Sequence, residues 1–293
     1  MRTLVSQAGS QPQLLEAPDA FPAAGAVAIA VEAAGVNPVD LAVASTATRD
    51  NFGLPDSVGL GWDVAGTVAA VGDGVTEVAV GDRVAALHND LAAAGRTHAD
   101  RVIVPAAAVG RVPDDLGSED AASVPLNALT AAQALQPLGE PEGRRLLVTG
   151  AAGGVGGYAI ALAAADGWQV DGLARAGDRE FVESTGARLV TDLGSGPYDA
   201  VVDPAEITDV ATALRDDGDY VSIKDDNTDR GRGIRVHTVR VHPDGAALTT
   251  LLARSAAGEL RTRVVGRYPL VEHAAAYAEA GRPGLRGRVL LLP

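Results

Sequence analysis

The chain predicts an α/β protein of two domains, one rich in short β-strands and one built on a doubly wound parallel sheet. Three observations carry that expectation. The stretch Arg145 to Gly157, RLLVTGAAGGVGG, reads as a strand, a glycine turn and the start of a helix. Short strand patterns broken by turns fill the residues up to Gly117. Beyond the glycine turn, strand and helix patterns alternate in the βα rhythm of a parallel sheet.

Taken in order, Val27 to Val31 and Asp63 to Val71 (DVAGTVAAV) read as strands. Gly72-Asp73-Gly74 is a turn signal before a strand over Val75 to Val80, and further strands are expected from Gly81 to Val84 and from Arg101 to Val104. This spacing suits a barrel or a sandwich. Between Asn37 and Ser45, NPVDLAVAS places Pro38 where a helix can start. Near Gly117 the character changes: Ser118 is read as an N-cap ahead of Glu119 and Asp120, and Leu126 to Leu135 as a helix. After the glycine turn, strands are expected at Gln169 to Leu173, Arg188 to Val190, Ala200 to Val202 and Tyr220 to Ile223, with helices at Asp178 to Ser184 and Ile207 to Leu214. A strand from Arg263 to Gly266, a helix from Val271 to Ala280 and a strand from Arg288 to Leu292 close the chain. Too small for a domain, this tail is expected to fold back onto the β-rich part. The expected divisions are therefore residues 1–117, 118–261 and 262–293.

At 293 residues, both domains can have a real core, and with 47% apolar but only 3% aromatic residues it must be built from Ala, Val and Leu. The net charge of −14, without any basic cluster, argues against nucleic acid as a partner. Cysteine is absent, which removes disulfides, thiolate nucleophiles and cysteine-ligated zinc, and suits a reducing cytosol. The first residues, MRTLVSQAGSQP, do not resemble a signal peptide, and no apolar run is long enough to span a bilayer. A cytoplasmic location and no membrane partner are expected.

The glycine turn is read as a phosphate cradle. Gly153, Gly154 and Gly156 let the backbone approach a pyrophosphate, and the following helix aims its unpaired N–H groups and positive dipole end at it. In such folds an acid at the end of the second strand binds the ribose 2′-hydroxyl of NAD. Here that end reads Leu173-Ala174-Arg175, with Arg179 four residues on. Two guanidinium groups suit a 2′-phosphate, so the expected cofactor is NADP(H). The rival is Asp171: if the strand ends earlier, it becomes the ribose acid and the cofactor becomes NADH.

Landmarks in order along nearly the whole chain give a more specific signal: GVNPVD (Gly35 to Asp40), GLGWDVAGTV (Gly59 to Val68), VGDRV (Val80 to Val84), VPLNALTAAQAL (Val124 to Leu135), the GAAGGVGG turn, and GLRGRVLLL (Gly284 to Leu292). Through them the sequence resembles the medium-chain dehydrogenase/reductases, specifically their zinc-independent quinone oxidoreductase and enone reductase branch. The resemblance implies a GroES-like catalytic domain, a Rossmann domain, a cleft holding the nicotinamide, and commonly a homodimer. The chain also departs from its relatives. Where zinc-dependent members carry cysteine and a His-Glu pair, it has Val36-Asn37-Pro38 and Trp62-Asp63, so no metal is expected. The tyrosine that some zinc-free members carry after the Asn–Asp motif is missing from Ala42 to Thr48, and His98 stands at a second tyrosine position.

By this resemblance Asn37 and Asp40 match the Asn–Asp motif beside nicotinamide and substrate, although an asparagine also favours a helix N-cap. Thr130 matches a cofactor-side threonine, and is equally read as a helix residue bonded to its own turn. Ala152, Val155, Ala174 and Ile223 complete the expected cofactor shell with the glycines and arginines above. Asp203 and Lys224 fall at the carboxyl edge of the sheet, where ligands bind. Lys224 could meet a carboxamide, a carbonyl or a phosphate, or be a solvated partner of Asp225 and Asp226. Trp62 either walls the substrate pocket or is structural, and the loops Ser45 to Asp56 and Leu87 to Thr97 are expected to line that pocket. The expected activity is hydride transfer from NADPH to a quinone or an α,β-unsaturated carbonyl. The alternatives are NADPH binding without turnover, a module of a larger biosynthetic assembly, and a zinc-free alcohol or carbonyl reductase.

Overall fold

Parallel strands buried on both faces read as continuous apolar runs, and the stretch from Asn127 to Val241 is built on such runs. The computed structural model describes residues 1–226 and 228–293, and its chain divides into two compact units. One comprises Met1–Leu126, His242–Ala257 and Thr262–Pro293, the other Asn127–Val241 and Gly258–Arg261.

The first unit centres on a long strand, Ala26–Val36. On one side it pairs antiparallel with Asp63–Val71. On the other, its first half takes Arg101–Pro105 and its last residues take Arg288–Leu292. Register shifts after Ala28 and Val31 bend the strand, as bulges do, so that one strand serves both neighbours. Arg83–Leu87 and Val109–Arg111 extend the sheet beyond Asp63–Val71, and Val264–Pro269 adds parallel to Arg288–Leu292. The tail thus adds two strands to the sheet of the first unit. A separate three-stranded sheet joins Gln13–Glu16, Arg2–Gln7 and Ser57–Gly59. Val27, Ile29, Val64, Val68, Val84, Val102 and Val104 form the aliphatic core that the composition requires.

In the second unit six parallel strands lie in the order Arg188–Val190, Gln169–Leu173, Arg145–Thr149, Tyr198–Asp203, Leu214–Ser222 and Arg235–Thr238. In chain order that is 3-2-1-4-5-6, the Rossmann arrangement, and the strand order reverses beside Arg145–Thr149. The α/β fold, GroES-like β-sheet plus Rossmann sheet, is thus as the sequence predicts.

Several local expectations fail for identifiable reasons. Residues 75–80 form no strand: the Asp82 carboxylate accepts from the Ala79 N–H at 2.9 Å, and turn chemistry takes the segment. The helix expected over residues 207–214 shrinks to a 3-10 turn, Val210–Ala213, after Asp209 adopts a φ of 61°. Gly117 rather than Ser118 occupies the N-cap of Ser118–Ala121, and the Ser118 hydroxyl goes to Glu32. A helix the sequence reading passes over, Gly245–Ala256, starts from Asp244, whose side chain accepts from the Ala247 N–H at 2.9 Å. It belongs to the first unit, although it falls within residues 118–261.

Candidate functional site

In the second unit the strand Arg145–Thr149 runs into Gly150, held at a φ of 55°, and Gly153 caps the helix Gly154–Asp166. A Cβ on Gly156 would lie 2.3 Å from the Gly150 carbonyl oxygen, so only glycine lets the helix start this close to the turn. Ala152, Gly153, Gly154, Val155 and Gly156 are brought together here. The N–H groups of the first helical residues have no carbonyl four positions back to accept them.

The strand Gln169–Leu173 ends nearby in sequence, with the Ala174 N–H bonded to Val190. Arg175 follows, exposed and without an ion-pair partner among the described residues. Arg179, also exposed, pairs with Glu183 in its own helix. Asp171 is mid-strand and buried, and its carboxylate accepts from Arg188 Nε (2.7 Å), Tyr198 Oη (2.8 Å) and Arg145 Nη2 (3.2 Å). Those three partners are the first residues of their strands, so the carboxylate points to the amino edge of the sheet, opposite the edge at which ligands bind.

Asp203 ends the strand Tyr198–Asp203 and is buried. It accepts from the Thr149 hydroxyl, from Tyr220 Oη at 2.9 Å and from the Ile207 N–H at 3.2 Å, tying together the carboxyl ends of three strands. Ile223 and Lys224 follow the strand Leu214–Ser222. Lys224 is exposed and pairs with Glu206, whereas Asp225 bonds Arg240 and Asp226 bonds Arg230. Thr130 is buried on the helix Pro125–Leu135.

The first unit holds a buried polar cluster. Asn37 is the N-cap of the helix Pro38–Ala44, with Pro38 as its first residue. Its N–H donates to Asp40 Oδ2 at 2.8 Å, and Asp40 Oδ1 accepts from the Gly61 N–H at 3.0 Å. Asn37 Nδ2 donates to Asp63 Oδ2 at 2.9 Å, and its buried carbonyl oxygen Oδ1 faces the Asp40 N–H in a capping box, without a full hydrogen bond among the described residues. Asp63 Oδ1 accepts from the Leu126 N–H at 2.7 Å. Burial pushes Asp63 up to about 6, against the pull of Arg288 and the Asn37 bond.

Trp62 is buried beneath the guanidinium of Arg96, whose carbon lies 5.0 Å from the ring centre. His98, read as standing in for a tyrosine, is fully buried, with Nδ1 2.9 Å from Tyr277 Oη and Nε2 3.1 Å from the Gly35 carbonyl. Burial lowers its pKa and drives His88 down to about 4. Sequence reasoning missed Arg96 and Tyr277. Arg96 is one charge among many in the sequence, and only burial distinguishes it. Among the described residues no group of three His, Cys, Asp or Glu side chains could hold a metal ion.

Comparison with known proteins matches residues 23–118 to the alcohol dehydrogenase GroES-like domain and residues 176–291 to the zinc-binding dehydrogenase domain. The chain belongs to the medium-chain dehydrogenase/reductase family. It is similar to the chloroplast envelope quinone oxidoreductase homolog of Arabidopsis thaliana, with 34% identity over 61% of the chain and 55% of that protein. It also resembles the trans-enoyl reductase himH of Aspergillus japonicus, 33% identical over 67% of the chain and 57% of that protein. Pikromycin polyketide synthase component PikAII of Streptomyces venezuelae is 40% identical over 55% of the chain and 4% of that protein. The match thus spans little more than half of the two reductases and a small part of the synthase. The mycobacterial protein Rv1454c, solved in complex with NADPH, superimposes with a TM-score of 0.82 at 26% identity, covering all of both chains. Relatives of this medium-chain dehydrogenase/reductase thus bear both quinone and enoyl names. No helix of the described residues is long and apolar enough to cross a membrane.

Proposed function

We propose that the protein is an NADPH-dependent, zinc-independent oxidoreductase that adds hydride to a quinone or to a carbon–carbon double bond conjugated to a carbonyl. The observation that carries this reading is the end of the strand Gln169–Leu173. Arg175 stands there exposed and unpaired among the described residues, and Asp171 faces the other edge of the sheet. A guanidinium at that place suits a ribose 2′-phosphate, through charge-assisted bonds that a 2′-hydroxyl does not reward equally. The NADPH complex of the related mycobacterial protein supports the same choice.

In this reading the backbone from Ala152 to Gly156 receives the pyrophosphate, and Ala174, Arg175 and Arg179 the 2′-phosphate. Thr130 and Ile223 are further cofactor contacts. Asp203 acts by holding the carboxyl ends of its strands, and Lys224 adds positive charge at that edge. Bound NADPH would supply the hydride from nicotinamide C4. Asn37, its amide nitrogen fixed by Asp63 and its Oδ1 facing the Asp40 N–H, keeps lone-pair capacity on Oδ1 for an N–H or O–H donor. Asp40 holds the helix start and the Gly61 turn in place, and Trp62 gives the acceptor an apolar wall.

A zinc ion does not suit these residues. Val36, Asn37, Pro38 and Trp62 offer neither thiolate nor imidazole, and both Asp63 oxygens are bonded. Enones and quinones accept hydride with only hydrogen-bond donors at the developing oxyanion. Similarity to a trans-enoyl reductase and to a polyketide synthase component favours the conjugated enoyl acceptor, and with it a role within a biosynthetic assembly. A homodimer, which the family resemblance implies, is checked by sedimentation.

The test is paired titration with NADPH and NADH, followed by acceptor consumption with cyclohex-2-enone, a trans-enoyl thioester and 1,4-naphthoquinone. Preference for NADH would overturn the cofactor assignment. Tight NADPH binding with no acceptor consumed would leave a cofactor-binding protein without turnover.

A further inference from the structure

Arg96 is fully buried, and its guanidinium is mostly unclaimed. Nη2 donates to the His88 carbonyl at 2.7 Å, but Nε and Nη1 have no partner among the described residues. Beside it, the Trp62 indole Nε1 and the Thr97 hydroxyl are also buried without partners among the described residues. The loop carrying Arg96 and Thr97 is pressed onto the Gly61 turn. Gly61 has a φ of 104°, and a Cβ there would lie 2.2 Å from Thr97 Oγ1 and 2.5 Å from the His98 nitrogen. Since Asp40 bonds the Gly61 N–H, the turn ties the Arg96 loop to the Asn37 cluster.

Burying polar groups without partners is unfavourable, and a guanidinium is usually buried on a carboxylate. Arg96 has no such bond among the described residues. Asp40, the carboxylate whose charge it feels most, already accepts from Asn37 and Gly61. His98 is committed to Gly35 and Tyr277. Among the described residues, then, these donors have no partner within the chain. Charge decides which kind: Asp40 offsets the Arg96 charge, so an anionic ligand would enter beside a standing carboxylate, whereas a neutral carbonyl meets open donors without added repulsion.

We propose that Arg96 is the hydrogen-bond donor to the carbonyl oxygen of the acceptor, and so a catalytic residue. This rests on the activity proposed above. Hydride from NADPH adds to the β-carbon, and the π electron pair of the double bond moves to form an enolate whose oxygen accepts from Arg96. The α-carbon then takes a proton from water, leaving NADP⁺ and the saturated carbonyl compound. The guanidinium stays protonated throughout.

The test compares wild type with Arg96→Gln and Arg96→Lys. With cyclohex-2-enone, Arg96→Gln should lower kcat by about a hundred- to a thousandfold, as loss of an oxyanion donor does. NADPH affinity should be unchanged, and Arg96→Lys should recover part of the rate. In Arg96→Ala, millimolar guanidinium ion should restore turnover, which a purely structural role would not allow. A kcat for Arg96→Gln within threefold of wild type would overturn the proposal. A second readout does not depend on turnover. Cyclohexanone should bind the NADP⁺-loaded wild type and lose affinity in Arg96→Lys, while methylenecyclohexane binds both equally; equal loss or retention of the two probes overturns the assignment. Wild type that binds cyclohexanone through Arg96 yet reduces no enone or quinone would refute the proposed activity and leave the carbonyl site standing.

Discussion

Replacing Asp63 by asparagine tests the buried cluster through its pH dependence. Asp63 is fully buried, and its pKa rises from 3.8 to about 6 on folding, chiefly by desolvation. An acid whose pKa is raised in the folded state binds more protons there than in the unfolded chain between those values, so stability falls as pH rises through that window. At 1.36 kcal/mol per unit, a shift of about two units makes the ionised form cost about 3 kcal/mol, nearly all of it incurred between pH 4 and 7. Asparagine at this position cannot ionise. It retains one carbonyl oxygen for two donors, the Asn37 amide and the Leu126 N–H, so one bond is lost, at about 1–3 kcal/mol. Asp63→Asn should therefore be clearly less stable than wild type at pH 4 and close to it at pH 7. Urea unfolding of both proteins across this range gives the difference directly and cancels every other titrating group. Parallel stability profiles would refute the claim that Asp63 is buried and raised.

Other variants test the two half-sites. Arg175→Glu should weaken NADPH binding by about ten- to a hundredfold, through loss of a charge-assisted contact, and leave NADH affinity near its starting value; fluorescence titration measures both. Gly156→Ala should cost about 1–3 kcal/mol from the clash with the Gly150 carbonyl, and weaken NADPH binding with it. Asp171→Asn should lower stability by several kcal/mol, since it strips charge from a carboxylate bonded to Arg145, Arg188 and Tyr198, without altering the NADPH to NADH preference. Thermal melts with cofactor titration check the last two.

The parts of the site legible in the sequence are those set by local geometry. The glycines of residues 153–156, the Asn37-Pro38 helix start and the apolar parallel strands each declare themselves through backbone requirements that act over a few residues. Where short-range signals compete, the reading fails. Residues 75–80 have strand-like valines, but Asp82 and Gly81 make a turn, and residues 207–214 look helical until Asp209 takes a left-handed conformation.

Asp171 shows the other kind of gap. Its number places it near the ribose position, yet its orientation follows from Arg145, Arg188 and Tyr198, which begin three different strands. Arg96 is the extreme case. By sequence it equals any other arginine, and its burial without a bonded carboxylate among the described residues arises only where its loop closes over Trp62 and Gly61. The sequence alone determined the α/β fold, the glycine turn that starts the helix Gly154–Asp166 and the absence of cysteine, because periodicity, glycine placement and residue type are local properties of the chain. Tertiary structure decided which carboxylates are already engaged and which buried donors remain open, because desolvation and hydrogen-bond satisfaction depend on neighbours that are distant along the chain.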